Sequence, residues 1–200
     1  MFYDPRTEPH GLAHNPWLSL VMPRPIGWIS TLSPDGVANL APYSYFNAVS
    51  GFPPFVMFSS AGRKDSQTNV EATGEFVANM AGADLKDAMN QSAATVGPEV
   101  DEFELTGLEK APCRNVSVPR VAAAPVALEC VLNQVVPMVA RDGTKARSEI
   151  IIGEVVGIHI ADSVIVDGML DIKRIRPLGR LGYMDYVIVE DVIQMMRPGT

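Results

Sequence analysis

The segment from Pro23 to Met80 constrains the fold of this chain most strongly, because it alternates apolar runs with turn and helix signals at short intervals. Pro34, Asp35 and Gly36 predict a tight turn, since proline presets φ and glycine closes the turn at no steric cost. The apolar runs on either side should therefore pair as antiparallel strands. A third apolar run, from Pro54 to Ser60, predicts another strand.

Small polar and basic residues follow this third strand. Ser59 precedes Arg63 and Lys64, and the next residues, Asp65 to Thr68, open a short helix that Gly74 closes. Cations and free helix amides attract anions, and Ser59 and Thr68 could add hydroxyl donors. We expect the Asp65 carboxylate to turn back and cap the helix. The segment predicts a site for an anion-bearing cofactor, but an ordinary capped surface helix behind a basic loop fits it equally well.

Composition and charge narrow the class of protein. The 200 residues carry a net charge of −7, which argues against binding to nucleic acids or anionic membranes. No apolar run approaches the length of a membrane span, and Met1 is not followed by a leader-like segment, so we expect a cytoplasmic protein. Cys113 and Cys130 lack disulfide or zinc-ribbon spacing and should be reduced thiols. No linker divides the chain, which predicts one domain over residues 1–200.

The second half of the chain adds mostly strands. Val126 to Val136 alternates apolar residues with Glu129 and Asn133, as a half-buried strand does, and Ser148 to Ile160 is a long β-branched run bent at its two glycines. We expect a last strand at Val187 to Val192. Helices are predicted only at 65–73 and 83–92, with an irregular excursion over 98–125. These patterns favour an antiparallel barrel, and no dinucleotide fingerprint or P-loop is present.

Three motifs together resemble the flavin reductase-like family of FMN-binding split barrels, over roughly Met22 to Arg197. They are the Pro25 to Thr31 run, the segment Asn39 to Asn47 and the box Lys64 to Asn69. The resemblance implies a mainly β fold, a split β-barrel of antiparallel Greek-key type with a few short inserted helices. It also implies FMN as cofactor and a homodimer with FMN at the subunit interface.

The same resemblance places candidate FMN contacts on this sequence. The family's matching S-T and A-x-x-S positions imply Ser30, Thr31, Ala41 and Ser44, although Trp28 and Phe46 are more typical of a barrel core. No catalytic residue is assigned, because the cofactor performs hydride chemistry and the protein positions the rings. The full set of candidate contacts is Trp28, Ser30, Thr31, Ala41, Ser44, Phe46, Asn47, Ser59, Arg63, Lys64, Asp65, Thr68, Arg180 and Tyr183.

Two other groups of residues invite site hypotheses. His10 and His14 stand four apart, but the flanking Pro9 and Gly11 disfavour a helix there and no third ligand is evident, so no metal site is assigned. His159, within the long strand, is expected to be a structural histidine. Lys173, Arg174 and Arg176 form a basic cluster that is either an anion site or, as we favour, a solvated turn.

The resemblance implies an FMN-dependent oxidoreductase that takes hydride from NAD(P)H and passes electrons to free flavin, a small-molecule acceptor or a monooxygenase partner. Many short flavin reductases carry Asp-His before the G-x-V strand, where this chain has Arg147 and Ser148. NAD(P)H turnover should therefore be slow or absent. The alternative is a non-enzymatic FMN-binding electron carrier or storage module. A third hypothesis is a split barrel that has lost FMN binding and binds another ligand.

Overall fold

We describe residues 1–199 from a computed structural model. Strands take 42% of the chain and helices 17%, so the fold is mainly β. The strands are β1 (Arg24–Pro25), β2 (Gly27–Leu32), β3 (Ala38–Tyr43), β4 (Phe46–Gly51), β5 (Pro54–Ala61), β6 (Glu75–Met80), β7 (Lys110–Ala111), β8 (Arg120–Val121), β9 (Val126–Val139), β10 (Lys145–Ile160), β11 (Ile165–Val166), β12 (Met169–Leu170), β13 (Leu178–Gly182) and β14 (Asp185–Ile188).

The helices are short and lie between strands. They are α1 (Trp17–Leu20), α2 (Asp65–Thr73), α3 (Lys86–Gln91), α4 (Glu102–Thr106) and α5 (Ile172–Ile175), with single 3-10 turns at Ala83–Leu85 and Asp162–Val164. The predicted helix over 83–92 is thus a 3-10 turn continued by α3. Within residues 1–199, none of the helices is long and apolar enough to cross a membrane.

A seven-stranded antiparallel sheet forms the body of the protein, in the order β3-β2-β6-β9-β10-β5-β4. It curls around an apolar core in which Phe58 and Phe76 meet edge to face at a centroid distance of 5.4 Å. Ile29, Val70 and Ile151 complete the fully buried centre of this core. A smaller sheet, β1-β13-β14, lies beside it. The antiparallel barrel predicted from the sequence is confirmed.

The predicted hairpin and helix are both present. Gly36 adopts φ 84°, and β2 pairs antiparallel with β3 across this turn. α2 ends at Gly74, whose φ of 77° lets its N–H donate to the Val70 carbonyl. The expected role of Asp65 was wrong. Lys64 occupies the N-cap without a side-chain hydrogen bond, and Asp65 is the first helical residue, where its carboxylate cannot reach back to cap.

The long strand β10 bends where its glycines predict bends. Its register with β9 shifts between Ile152 and Gly153 and again between Val155 and Gly157. A Cβ on Gly153 would lie 2.4 Å from the Phe76 ring, so this glycine lets a core aromatic approach the barrel wall. The bends therefore serve packing as well as curvature.

Two details differ from the sequence predictions. The last strand is Asp185–Ile188, which starts and ends earlier than 187–192. Glu129 is not on an open face of β9 but is 1% exposed. The 98–125 excursion explains this burial, because its second half covers the outer faces of β6 and β9, where Val116 and Val118 pack on Val77 and Ala127.

Candidate cofactor site

A cleft of about 320 Å³ opens between strand β3 and the start of α2. The loop from Ser92 to Val96 and the start of α4 form its opposite wall. Its lining residues are Asn39, Ala41, Pro42, Tyr43, Arg63, Lys64, Asp65, Ser66, Ser92, Ala93, Ala94, Thr95, Val96 and Glu102. The cleft thus combines two cations, the amino end of a helix, and a partly apolar wall.

The two cations at this cleft differ in their partners. Arg63 Nη2 forms an ion pair with Glu71 Oε2 on the exposed side of α2. The Lys64 side chain is exposed, and its ammonium group has no hydrogen bond or ion pair with any residue in 1–199. Because the first amides of a helix lack intrahelical partners, Lys64 and the start of α2 together offer free donors to an anion.

The Tyr43 hydroxyl lies at the cleft without a hydrogen-bond partner among the described residues, although its oxygen is buried. Burial raises the pKa of Tyr43. The Ser66 and Ser60 hydroxyls lie nearby and lower it in part, but neither forms a hydrogen bond with the Tyr43 hydroxyl. An unpaired buried hydroxyl costs about 1–3 kcal/mol. A polar group of a ligand in the cleft would remove that cost.

Glu102 holds the far wall of the cleft against β3. Its Oε2 accepts from the Leu40 N–H at 2.9 Å, and both carboxylate oxygens accept from Asn39 Nδ2 at 3.0 Å. Asn39 in turn accepts from the Ser66 hydroxyl at 2.8 Å, which ties α2 to the same network. Burial raises the pKa of Glu102 despite these donors.

The structure brings four of the predicted contacts into the cleft, namely Ala41, Arg63, Lys64 and Asp65. Ser59 is buried on β5, with its N–H donating to the Tyr45 carbonyl at 2.8 Å, and Ser44 lies half-buried just after β3. Thr68 is exposed one turn into α2, where its N–H donates to the Lys64 carbonyl. Of these three hydroxyl residues, none lines the cleft directly.

Three predicted contacts are used inside the protein instead. Trp28 is fully buried and donates from Nε1 to Ser92 Oγ at 2.8 Å. Ser30 donates to the Pro119 carbonyl, and the Thr31 hydroxyl accepts from Asn69 Nδ2 at 3.1 Å. These side chains are fully buried and hydrogen-bonded within the protein, and they do not line the cleft. Their role as FMN contacts stays a prediction.

The remaining predicted contacts lie away from the cleft. The Phe46 ring packs on Gly27, where any Cβ would come within 2.4 Å of it. Asn47 is exposed on β4. Arg180, on β13, donates to the Tyr183 carbonyl and lies over the Tyr186 ring at 4.4 Å. In the single chain, Arg180 and Tyr183 therefore contact each other and not the cleft.

Sequence reasoning missed several cleft residues. Three of them, Asn39, Tyr43 and Ser66, lie within the motifs that carry the resemblance. Their polar side chains beside apolar strand residues could have marked them as candidates for the site. Glu102 and the Ser92 to Val96 loop carried no local signal, because they reach the cleft only through the fold.

The structure also places the other basic cluster and two of the histidines, whose roles stay predictions. Arg174 pairs with Asp171 at 3.6 Å and Arg176 with Glu190 at 2.5 Å, as in a solvated turn. His10 accepts from the Leu12 N–H, in a segment without helix. His159 Nε2 lies 2.5 Å from Glu129 Oε1, so this histidine has a partner within the protein.

Fold and cleft together define a class: antiparallel barrels with a cleft that contains basic residues at the start of an inserted helix. The sequence profile of the Flavin reductase like domain matches residues 18–177, and the chain belongs to this family. The resemblance stated from the motifs is confirmed, and the barrel is the split barrel of that family.

Relatives cover nearly the whole chain. An uncharacterized protein of Aquifex aeolicus is 39% identical over 85% of this chain and 86% of its own length. Nitrilotriacetate monooxygenase component B from Bacillus cereus superposes with a TM-score of 0.88 at 30% identity, covering 98% of both chains. The Pseudomonas fluorescens 2-nitrobenzoate 2-nitroreductase NbaA superposes with a TM-score of 0.86 at 25% identity, over 100% of this chain and 97% of that one.

Proposed function

We propose that this protein binds FMN, with the phosphate at the start of α2 beside Lys64. One observation supports this most directly: the Lys64 ammonium group and the first amides of α2 lie at a cleft and have no partner in residues 1–199. The FMN phosphate carries close to two negative charges. In a chain of net charge −7, it needs a nearby cation and free amides to compensate that charge. Arg63 adds a weaker attraction for the phosphate, because its guanidinium is also paired with Glu71.

The remaining cleft fits the polar edge of a flavin. The buried Tyr43 hydroxyl lacks a partner and could donate to a ligand carbonyl. Ala41 and Pro42 present an apolar segment of β3 to the cleft. Flavin sites combine such apolar walls with a few placed polar groups.

Comparison of FMN with riboflavin tests the phosphate assignment. The protein should bind FMN much more tightly than riboflavin, because only FMN can engage Lys64 and the helix amides. Quenching of flavin fluorescence during titration measures both affinities. Equal affinities would refute a phosphate site at α2.

We further propose that the protein is an oxidoreductase. Bound FMN would supply two-electron chemistry, and the chain's residues would hold and orient the rings without acting as acid or base. Similarity to a monooxygenase component B supports a monooxygenase as acceptor, and similarity to a nitroreductase supports a small-molecule acceptor. NAD(P)H is the proposed donor.

The donor assignment competes with an electron-carrier function. Arg147 and Ser148 occupy the positions of Asp-His in short reductases, and the Arg147 carbonyl accepts from the Gly62 N–H at 3.0 Å, beside the basic loop. Loss of a positioning histidine should slow flavin reduction and leave FMN affinity unchanged. Anaerobic stopped-flow mixing with NADH and NADPH decides this. Fast bleaching by either supports an ordinary reductase, whereas reduction by dithionite alone supports the carrier.

A further inference from the structure

Cys113, Glu129 and His159 form a compact cluster on the outer side of the barrel, away from the proposed FMN cleft. One potential ligand atom of each lies within 4.8 Å of the other two. Cys113 belongs to the covering segment that precedes β8, while the other two residues lie on β9 and β10. Three elements distant in sequence thus bring a thiol, a carboxylate and an imidazole to one point.

The carboxylate of this cluster is held in place. Its two oxygens accept from the backbone N–H groups of Arg114 at 2.8 Å and Asn115 at 2.6 Å. Asn115 Nδ2 also donates to the Val156 carbonyl, which ties the covering segment to β10. Gly157 makes room for the carboxylate, because a Cβ there would lie 2.8 Å from Glu129 Cδ. The backbone of three elements therefore presents Glu129 to Cys113 and His159.

We propose that Cys113, Glu129 and His159 bind a divalent metal ion, with Zn²⁺ as the ion that fits this donor set. Zinc takes thiolate, imidazole and carboxylate ligands in tetrahedral sites. Two anionic ligands balance its charge. The 2.5 Å Glu129–His159 contact would widen to roughly 3.3 Å, the spacing of two ligands about 2.0 Å from a tetrahedral zinc.

The fourth ligand position of such an ion has space and access. A cavity of about 540 Å³ is lined by Glu129 and His159 together with Arg114, Arg120 and Asn115. Water or a small anion can enter here, and the two arginines favour an anion. Three protein ligands with an open position are the arrangement found in catalytic zinc sites.

A metal-free cluster is the competing reading. Burial, with the nearby Glu129 carboxylate, raises the pKa of Cys113 to about 12, so without metal the thiol keeps its proton. The Glu129 carboxylate then has two amides and His159 as donors. A coordinating metal ion deprotonates such a thiol outright. Direct measurement of zinc binding separates the two readings.

The test uses the purified full chain, stripped with a chelator and dialysed against Zn²⁺. We expect one zinc per chain. X-ray absorption at the zinc edge should show a single sulfur at about 2.3 Å and nitrogen or oxygen ligands at about 2.0–2.2 Å. This readout does not depend on flavin content or activity.

Variants assign the ligands. Cys113→Ser should weaken zinc binding by more than about a hundredfold, since even changes to outer-shell partners cost about 10–100-fold. Cys130→Ala and His10→Gln, which remove the other cysteine and an N-terminal histidine, should leave it unchanged. Should Cys113→Ser fail to fold by circular dichroism, His159→Gln takes its place. No stoichiometric binding, a spectrum without sulfur, or equal affinity in the folded ligand variant would overturn the proposal.

Discussion

At the scale of single residues, Arg63 and Lys64 are neighbours with different electrostatic surroundings. Glu71 already neutralises part of Arg63, whereas no acidic partner of Lys64 is found in residues 1–199. Equal formal charge therefore does not mean equal availability to a ligand. The sequence alone presents the two as one basic pair.

Lys64→Ala should weaken FMN binding by roughly ten- to a hundredfold, because a hydrogen bond to a charged group contributes about 1.5–3 kcal/mol. Arg63→Ala should cost less, since Glu71 competes for the guanidinium. Flavin fluorescence titration measures both, with Lys173→Ala on α5 as the control. Unchanged affinity in Lys64→Ala would place the phosphate elsewhere, as would an equal loss in the control.

Titration of Glu102 should make the free energy of unfolding depend on pH. Burial raises its folded-state pKa above the ordinary value of 4.5, so the folded protein keeps this proton to higher pH than the unfolded chain. The free energy of unfolding should therefore fall as pH rises from about 4.5 through the raised pKa, and then level off. Glu102→Gln, which stays neutral, should lack this contribution.

Urea unfolding at a series of pH values measures the Glu102 contribution as the difference between wild type and variant. Glu104→Gln, on the exposed side of α4, is the matched control. A wild-type minus Glu102→Gln difference that stays constant from pH 4 to pH 8 would contradict the assignment.

At the scale of elements, the glycines of the barrel strands have separable roles. A Cβ on Gly153 would meet the Phe76 ring and the Cys130 Cβ, both in the core, whereas a Cβ on Gly51 would meet nothing within 4 Å. Gly153→Ala should destabilise the protein by about 1–3 kcal/mol through overpacking. Gly51→Ala, also in a strand, should have little effect. Denaturant midpoints compare the two, and equal stability of both variants would argue against the packing explanation.

The elements predicted correctly are those with local signals. The β2–β3 hairpin follows from Pro34 to Gly36, and α2 follows from its closing Gly74, because both depend on φ preferences of a few residues. The cleft wall at Glu102 could not be predicted, since its contacts with Asn39 span 63 residues. The partners of the Ser30 and Thr31 hydroxyls could not be predicted for the same reason, because both come from distant segments.

At the scale of the whole molecule, one edge of the main sheet is open. Within residues 1–199, β4 pairs only with β5, and Val49 and the adjoining Phe52 are 52% and 94% exposed. Unpaired edges with exposed apolar side chains are sites of association. We propose that this edge contributes to a homodimer that completes the FMN site with residues such as Arg180 and Tyr183.

Sedimentation velocity at micromolar concentration should give a species of twice the chain mass of 21.6 kDa. Flavin absorbance recorded during the run shows whether FMN sediments together with the dimer. A monomer with FMN still bound would contradict the proposal.

The covering segment over β6 and β9 has a consequence for solvent access to the backbone. Its amides donate to buried or strand-borne acceptors: Ser117 to Glu75, Val121 to Asn79, and Arg114 with Asn115 to Glu129. Residues 114–119, which lie outside the strands, should exchange amide hydrogen for deuterium as slowly as strand residues do. Hydrogen-exchange mass spectrometry should show a protected peptide at 114–121, between fast-exchanging peptides at Ala94 to Gly97 and at Arg141 to Thr144. In its exchange kinetics, the irregular stretch before β8 would then resemble a strand of the barrel.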